Sequence, residues 1–571
     1  MSSCAWRRRL RRGAAVFVMV AAMISCARQP AGPPAEANET ARNFIARHVE
    51  KTRSLEKASN LAWWRANLSG KPEDFKAKEE AENAIDKVLS DPKAFSEVKS
   101  IRDRGGITDP LVKRQIDLIY LSYLGKQVDP QLLQEMNARS NEVERLFNVY
   151  RAPVGDKKLT ENDVRKILRE SNNSAEREQA WTASKGVGRE IAPILKDLVK
   201  LRNQAARKLG FRDFYAMSLY LNEQDEGALL ALFAQLDDLT RRPFQEMKAQ
   251  IDRNLARRFK ISVDQLRPWH YEDPFFQQAP QVGGANLDAL YAKKDLVKIT
   301  KDFYAGIGLP IDDVIERSDL YEREGKSPHA FETDIDREGD IRVLANVRPN
   351  EYWMNTLLHE CGHAAYSKNI DRQLPYTLRT EAHILTTEGI AMMFGRLDKR
   401  AEWLQWALGL GKPRAARYGA LARRQLRMES LIFSRWCQVM LHFERDMYAN
   451  PDQDLSKLWW DLVEKYQGLR RPENRSEPDY ASKIHLVTAP VYYHNYMMGE
   501  LFASQVHHAL ARRLGVQDAA GFAYVGRKEV GAFLRENVFA PGARYSWNEL
   551  TKLATGAPLQ ANDYAQDFVS E

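Results

Sequence analysis

Apolar residues recur at helical spacing through most of the chain. Leu229, Leu230, Leu232, Phe233, Leu236 and Leu239 fall on one stripe, and Ile191, Ile194, Leu195, Leu198, Val199 and Leu201 on another. Intervals of three and four residues bury one face of an α-helix. Strand-like pattern is confined to residues 341–347 (IRVLANV), between Gly339-Asp340 and Pro349-Asn350. The proline and asparagine predict a helix starting near Asn350. No internal repeat and no Pro/Gly/Ser-rich linker divides residues 38–571. The pattern therefore predicts one mostly α unit with a very small β element, large enough to form two lobes about a cleft.

The N-terminus breaks this pattern. Residues 1–12 carry five arginines and no acid, residues 13–25 form an apolar run (GAAVFVMVAAMIS), and Cys26 follows small residues. That order is the order of an export signal. Its thirteen apolar residues fall short of the roughly 20 that cross a bilayer as a helix. Met23-Ile24-Ser25-Cys26 resembles a bacterial lipobox with methionine in place of the usual leucine, which makes Cys26 the expected lipidation site. The expected layout is a lipoprotein-type signal over 1–25, a Pro-rich tether over 26–37 and a folded helical domain over 38–571. Such a chain is exported to the bacterial envelope or periplasm and meets the membrane only through its lipid anchor.

Composition removes other classes. With 571 residues, 44% hydrophobic and 28% charged, the chain is neither disordered nor collagen-like nor a polytopic membrane protein. Basic residues exceed acids by eight, but five of them belong to the N-terminal leader. No tract of five or more basic residues remains elsewhere, so no nucleic-acid partner is expected. Of four cysteines, Cys4 and Cys26 lie in the leader and only Cys361 and Cys437 remain. That number excludes a disulfide framework and favours buried free thiols over a single pair.

Candidate chemistry concentrates at His359-Glu360-Cys361-Gly362-His363, an HExxH motif within the expected helix. Four residues advance a helix by about 6 Å and 400°, so both imidazoles leave one face, with Glu360 offset by about 100°. Two metal ligands and a general base for water thus follow from little more than one turn. Cys361 points to the opposite side of the helix. Imidazole and carboxylate ligands suit zinc, and a catalytic zinc site keeps one position open. A metzincin is excluded, because Tyr366 and Asn369 stand where its glycine and third histidine belong. The third ligand should be a carboxylate from a later helix. Glu388 is the first candidate, with Glu381 and His383 as alternatives.

These residues resemble the angiotensin-converting-enzyme-like peptidyl-dipeptidases, the M2 gluzincin metallopeptidases. HECGH followed by Glu388 resembles that family's zinc motif, although Glu388 comes one residue later than usual. His329-Ala330, the Trp459-Trp460 to Tyr466-Gln467-Gly468 segment, Lys483-Ile484-His485, and Tyr493 and Tyr496 within PVYYHNY are similar to further family motifs, and the likeness spans residues 180–510 at least. The resemblance implies a mostly α, two-lobed helical metallopeptidase with a deep central cleft roofed by N-terminal helices. It implies one Zn2+ per chain on His359, His363 and Glu388, with Glu360 as base. Tyr496 and His485 would donate to the oxyanion. Lys483 and Tyr493 would hold the terminal carboxylate, Tyr492 being the alternative to Tyr493. His329 and Ala330 would line the cleft against the substrate backbone. The partners are then short peptides, which would lose C-terminal dipeptides.

Departures from the family pattern carry their own expectations. Met392 replaces an acid that orients a zinc histidine, so that hydrogen bond must come from elsewhere. Asn495 and Val463 stand where the animal enzymes have chloride-binding arginines, so little chloride activation is expected. A glutamine that helps hold the terminal carboxylate has no clear counterpart within residues 269–278. This gap keeps open an oligoendopeptidase of the same helical superfamily. A non-catalytic envelope binding protein is the remoter alternative, since a binder has no use for Glu360.

Overall fold

Asp-Pro pairs punctuate the N-terminal part of the chain. At Asp91-Pro92, Asp109-Pro110 and Asp129-Pro130 the carboxylate accepts from first-turn amides while the proline occupies the first helical position, where a missing N–H costs nothing. The computed structural model describes residues 34–280 and 287–569. The expected signal over 1–25, Cys26 and most of the expected tether lie outside the described residues. The tether's last part is corrected, because Pro34 opens a helix.

Helices α1 (Pro34–Ser69), α2 (Pro72–Leu89), α3 (Pro92–Arg104) and α4 (Pro110–Leu124) form an N-terminal layer. Phe44, Ile45, Val98, Ile116, Ile119 and Tyr123 give α1, α3 and α4 an apolar core of their own. A larger continuous core runs from Val143 to Phe568. It takes in α5 (Val187–Lys208) and α6 (Glu226–Phe259), which bury Ile191, Leu195, Leu198 and Val199, and Leu229, Phe233 and Leu236. The two stripes read from the sequence are therefore the buried faces of these helices, and the mostly α expectation holds.

Strands are few and short among the described residues. β1 (Ala152–Val154) pairs antiparallel with β2 (Lys157–Leu159), and β3 (Phe331–Asp334) with β4 (Ile341–Leu344). The second hairpin contains the strand expected over 341–347, which ends sooner. The first was not expected, because three-residue strands around Gly155, at φ 56°, are too short to display alternation.

The central helices are α7 (Glu351–Lys368), α8 (Ile384–Gly395), α9 (Lys412–Ala449), α10 (Leu455–Gln467) and α11 (Tyr493–Arg513). Asn350 caps α7 by accepting from the Trp353 amide at 2.9 Å, which fixes the helix start read from Pro349-Asn350. Helix α8 lies against both α7 and α11, and glycines permit the approach. A Cβ on Gly362 would sit 2.9 Å from Ala391 Cα, and one on Gly389 would sit 2.8 Å from the Gly499 carbonyl oxygen.

The N-terminal layer meets the rest of the molecule at the β3–β4 hairpin. Phe331 packs between Trp63 and Trp64 of α1. Lys57 pairs with Asp336 at 3.1 Å, Arg53 with Glu338, and Asn60 Nδ2 donates to the Asp334 and Ile335 carbonyls at 3.2 Å. The hairpin's other side faces α7. Among the described residues no helix is long and apolar enough to cross a membrane.

Gly362→Ala should lower the unfolding free energy by about 1–3 kcal/mol through overpacking of α7 on α8, read as a fall in denaturant midpoint. Gly411→Ala, whose Cβ meets nothing within 4 Å, should stay within about 0.5 kcal/mol of the parent.

Candidate active site

Helix α7 turns the His359 and His363 imidazoles to one side, and α8 brings Glu388 against them. The two Nε2 atoms are 3.3 Å apart, and Glu388 Oε2 lies 3.6 Å from His359 and 3.9 Å from His363. Bonds of about 2.0–2.2 Å from a tetrahedral zinc place its ligand atoms about 3.3–3.6 Å from one another. The 3.3 and 3.6 Å separations match the edges of one coordination tetrahedron, and the 3.9 Å separation exceeds them. The three donors form a metal-competent cluster in which all ligand atoms lie within 4.8 Å of one another.

Protonation favours the same reading. Burial drives His359 down to about 4 and His363 well below the usual imidazole range, so both rings are neutral and offer lone pairs. His363 Nδ1 is 2.6 Å from Thr387 Oγ1; with Nδ1–H donating there, Nε2 is left as the ligand atom. Thr387 thus supplies the orienting bond that Met392 cannot. Neither alternative third ligand joins the cluster. His383 caps α8, its Nδ1 accepting from the Leu385 amide at 3.1 Å, and Glu381 accepts from Thr380 Oγ1 at 2.6 Å.

Glu360 is buried beside this cluster. Burial, and then the Glu388 charge, push its carboxyl up to about 8, while the Glu332 backbone N–H from β3 opposes that rise. Cys361 and Cys437 are both buried and free. His329 is exposed and Ala330 half-buried just ahead of β3; among the described residues no hydrogen bond or ion pair links His329 to the cluster.

The expected carboxylate-binding residues converge on a side chain the sequence did not reveal. Lys483 Nζ donates to Gln277 Oε1 at 2.8 Å, and Tyr493 OH donates to the same oxygen at 3.2 Å. Gln277 thus stands beside Lys483 and Tyr493, in the segment where the sequence offered no clear counterpart of the family's glutamine. Because lysine only donates, the amide oxygen faces it and Nε2 remains free to donate. Tyr492 stacks edge-on against Tyr496 and, among the described residues, makes no hydrogen bond to Gln277. Lys483 is buried among Phe275, Trp436 and Tyr493, its Nζ 5.1–5.3 Å from each ring centre, and burial lowers it to about 8. The His485 ring is 5.2 Å from Tyr493, and the Tyr496 ring is 5.3 Å from Tyr493. Burial and the neighbouring Lys483 charge lower His485 to about 4, leaving it neutral with one N–H to give. Asn495, in contrast, is buried and engaged with Gln224 at 2.6 Å.

Thr387→Val should weaken zinc binding about 10- to 100-fold by releasing His363, measured by competition with a chelator. Thr387→Ser should retain it.

Comparison with known proteins agrees with this geometry. The peptidase M2 family profile, angiotensin-converting enzyme, matches residues 35–270 and 277–565. The chain is 24% identical over 464 residues to angiotensin-converting enzyme of Mesocricetus auratus, covering 75% of this chain and 35% of that protein. It is 24% identical over 431 residues to the Mus musculus enzyme, covering 70% and 32%. With the enzyme of Theromyzon tessulatum it shares 21% identity over 513 residues, 82% of each chain. The chain thus spans about a third of the length of the mammalian relatives it matches. With nearly its whole described length matched, the chain belongs to the peptidase M2 family, that of angiotensin-converting enzyme.

Proposed function

We propose that this protein is an exported zinc metallopeptidase that releases dipeptides from the free C-termini of short peptides. The observation that carries this reading is the convergence of Lys483 and Tyr493 on Gln277, a set of donors suited to a carboxylate, beside HExxH and Glu388. The oligoendopeptidase alternative drew its support from a missing glutamine, and Gln277 removes that support. Zn2+ would be held by His359, His363 and Glu388, and would supply a positive charge that polarises the scissile carbonyl and acidifies water. The expected export signal over 1–25 and lipidation at Cys26 would hold the helical domain over 38–571 at the bacterial envelope.

The chain's own groups account for the remaining steps. Lys483, Gln277 Nε2 and Tyr493 bind the terminal carboxylate and set the register of the peptide. His329 and Ala330, leading into the unpaired edge of β3, flank the substrate backbone. Glu360 takes a proton from the attacking water and passes it to the leaving amine. Tyr496 and the neutral His485 donate to the oxygen that becomes negative as the carbonyl turns tetrahedral.

Mass-spectrometric product analysis of a short peptide, free and C-terminally amidated, tests the reading. Successive dipeptides should come from the free peptide alone, and Glu360→Gln should lower kcat by about 10²–10⁴-fold. Equal internal cleavage of both forms would replace the reading with an oligoendopeptidase, and no Glu360-dependent cleavage would replace it with a binding protein. Because Lys483 loses its charge as pH rises through about 8, KM for free peptides should climb above that pH. Lys483→Arg, charged throughout, should flatten the climb.

A further inference from the structure

Lys483, His485, Tyr493 and Tyr496, the groups proposed to hold and polarise the substrate, all fall in one stretch of chain. Between the first pair and the second lies a bend rather than a continuous helix. The short helix His485–Thr488 stops, Val491 takes φ 53°, and α11 begins two residues later. Of the non-glycine residues at positive φ among the described residues, Val491 is the β-branched one, and it is 3% exposed. A branched Cβ crowds the backbone in that region, so the conformation persists only where its surroundings over-determine it.

Two buried groups supply that restraint. Glu444 of α9, 2% exposed, accepts from the Val491 amide at 2.7 Å. Arg202 of α5, also buried, donates to the Leu486 carbonyl at 3.2 Å, the Val487 carbonyl at 2.7 Å and Tyr448 OH at 3.1 Å. Glu444 and Tyr448 are four residues apart on α9 and share a face, and Asn203 Nδ2 of α5 donates to the Tyr448 carbonyl at 2.8 Å. The bend is thus gripped by carbonyls ahead of Val491 and by the amide at Val491, from two helices packed into the main core. Among the described residues neither Glu444 nor Arg202 hydrogen-bonds a side chain of Lys483, His485, Tyr493 or Tyr496, so both act through the backbone. Burial pushes the Glu444 carboxyl up to about 8, while the Val491 N–H and the Arg202 charge pull the other way. A carboxyl oxygen accepts in either protonation state, so the bond to Val491 does not need the charge.

We infer that Glu444 is a positioning residue: by accepting the Val491 N–H it holds the left-handed turn that aims Tyr493 at Gln277 and Tyr496 at the reaction centre, with Arg202 fixing the chain just before that turn. Val491 stands two residues before Tyr493 and five before Tyr496. A change of its φ towards the extended range therefore re-aims the first turn of α11, which carries both phenols, and small misplacements of such groups cost rate. An unpaired buried amide is expensive, so without Glu444 the Val491 N–H turns towards another acceptor and the bend goes with it. For Tyr493 the inference rests on the dipeptide-release reading; for Tyr496 it requires only amide hydrolysis.

The test compares Glu444→Gln, which keeps an acceptor oxygen, with Glu444→Met, which keeps the bulk and loses the acceptor, in the full chain and with rates expressed per folded molecule. Glu444→Gln should stay within about threefold of the parent in both kcat and KM, because the bond survives. Glu444→Met should lose about 10- to 100-fold in kcat/KM, divided between a higher KM for free peptides through Tyr493 and a lower kcat through Tyr496. Glu444→Asp, one methylene short of the Val491 amide, should fall between them, and it carries the comparison if Glu444→Met does not fold. Calorimetric binding of a free dipeptide should weaken in the same order without turnover. Unchanged kcat and KM in Glu444→Met and Glu444→Asp would overturn the inference. So would equal losses in all three variants, which would make the charge rather than the acceptor the operative feature. Equal cleavage of free and amidated peptides by the unaltered chain would overturn the dipeptide reading and the effect through Tyr493, whereas kcat ordered with Glu444→Gln above Glu444→Met would still uphold the effect through Tyr496.

Discussion

The candidate metal site depends on how closely α8 can approach α7. Two histidines on one turn present a pair of lone pairs, but the third donor sits on another helix, and its reach is fixed by backbone separation. Gly362, inside the HECGH segment itself, removes the side chain that would strike Ala391. Gly389, next to Glu388, does the same towards α11. Three helices thus lock into one register around a carboxylate, and close-packed backbones resist sliding better than flexible side chains would. The geometry of the donors is set by the packing of the core around them.

On the proposed reading, helix α11 converts that register into a measure of substrate length. Tyr493, bonded to Gln277, and Tyr496, the expected oxyanion donor, are three residues apart and so neighbours on one helical face. An extended peptide spans about 3.3–3.6 Å per residue, so a short, fixed separation between carboxylate anchor and reaction centre admits a set number of residues between them. Lys483 stands beside Tyr493 as an ammonium enclosed by aromatic rings, and the desolvation that lowers it to about 8 is a cost that a bound anion would offset. The anchor is costly to build and is paid for by the surrounding core, which is the usual balance at a functional site.

How much could be read without coordinates follows from periodicity. The helical stripes of α5 and α6 and the paired histidines were legible because each repeats with, or is spaced by, the helical turn, and the start of α7 because Pro349-Asn350 is a local start signal. Glu388 could be proposed but not separated from Glu381 and His383, since which of three nearby donors faces α7 depends on where α8 begins. Gln277 was invisible for a different reason. It follows an irregular segment in which Glu272 and Phe276 adopt positive φ values of 68° and 49°, so no spacing rule connects it to Lys483, 206 residues later. Thr387 was passed over because an acid was sought, although a hydroxyl can equally accept the Nδ1 proton.

The β3–β4 hairpin is held on two sides. On one, Phe331 sits between the tryptophans of α1 and a row of ion pairs ties Asp336 and Glu338 to Lys57 and Arg53. On the other, the Glu332 N–H meets the Glu360 carboxylate. The hairpin is therefore the packed link between the N-terminal layer and the strand beside Glu360. A substitution that loosens Phe331 from Trp63 and Trp64 is thus felt at the centre of the molecule as well as at its N-terminal layer, because one short hairpin serves both.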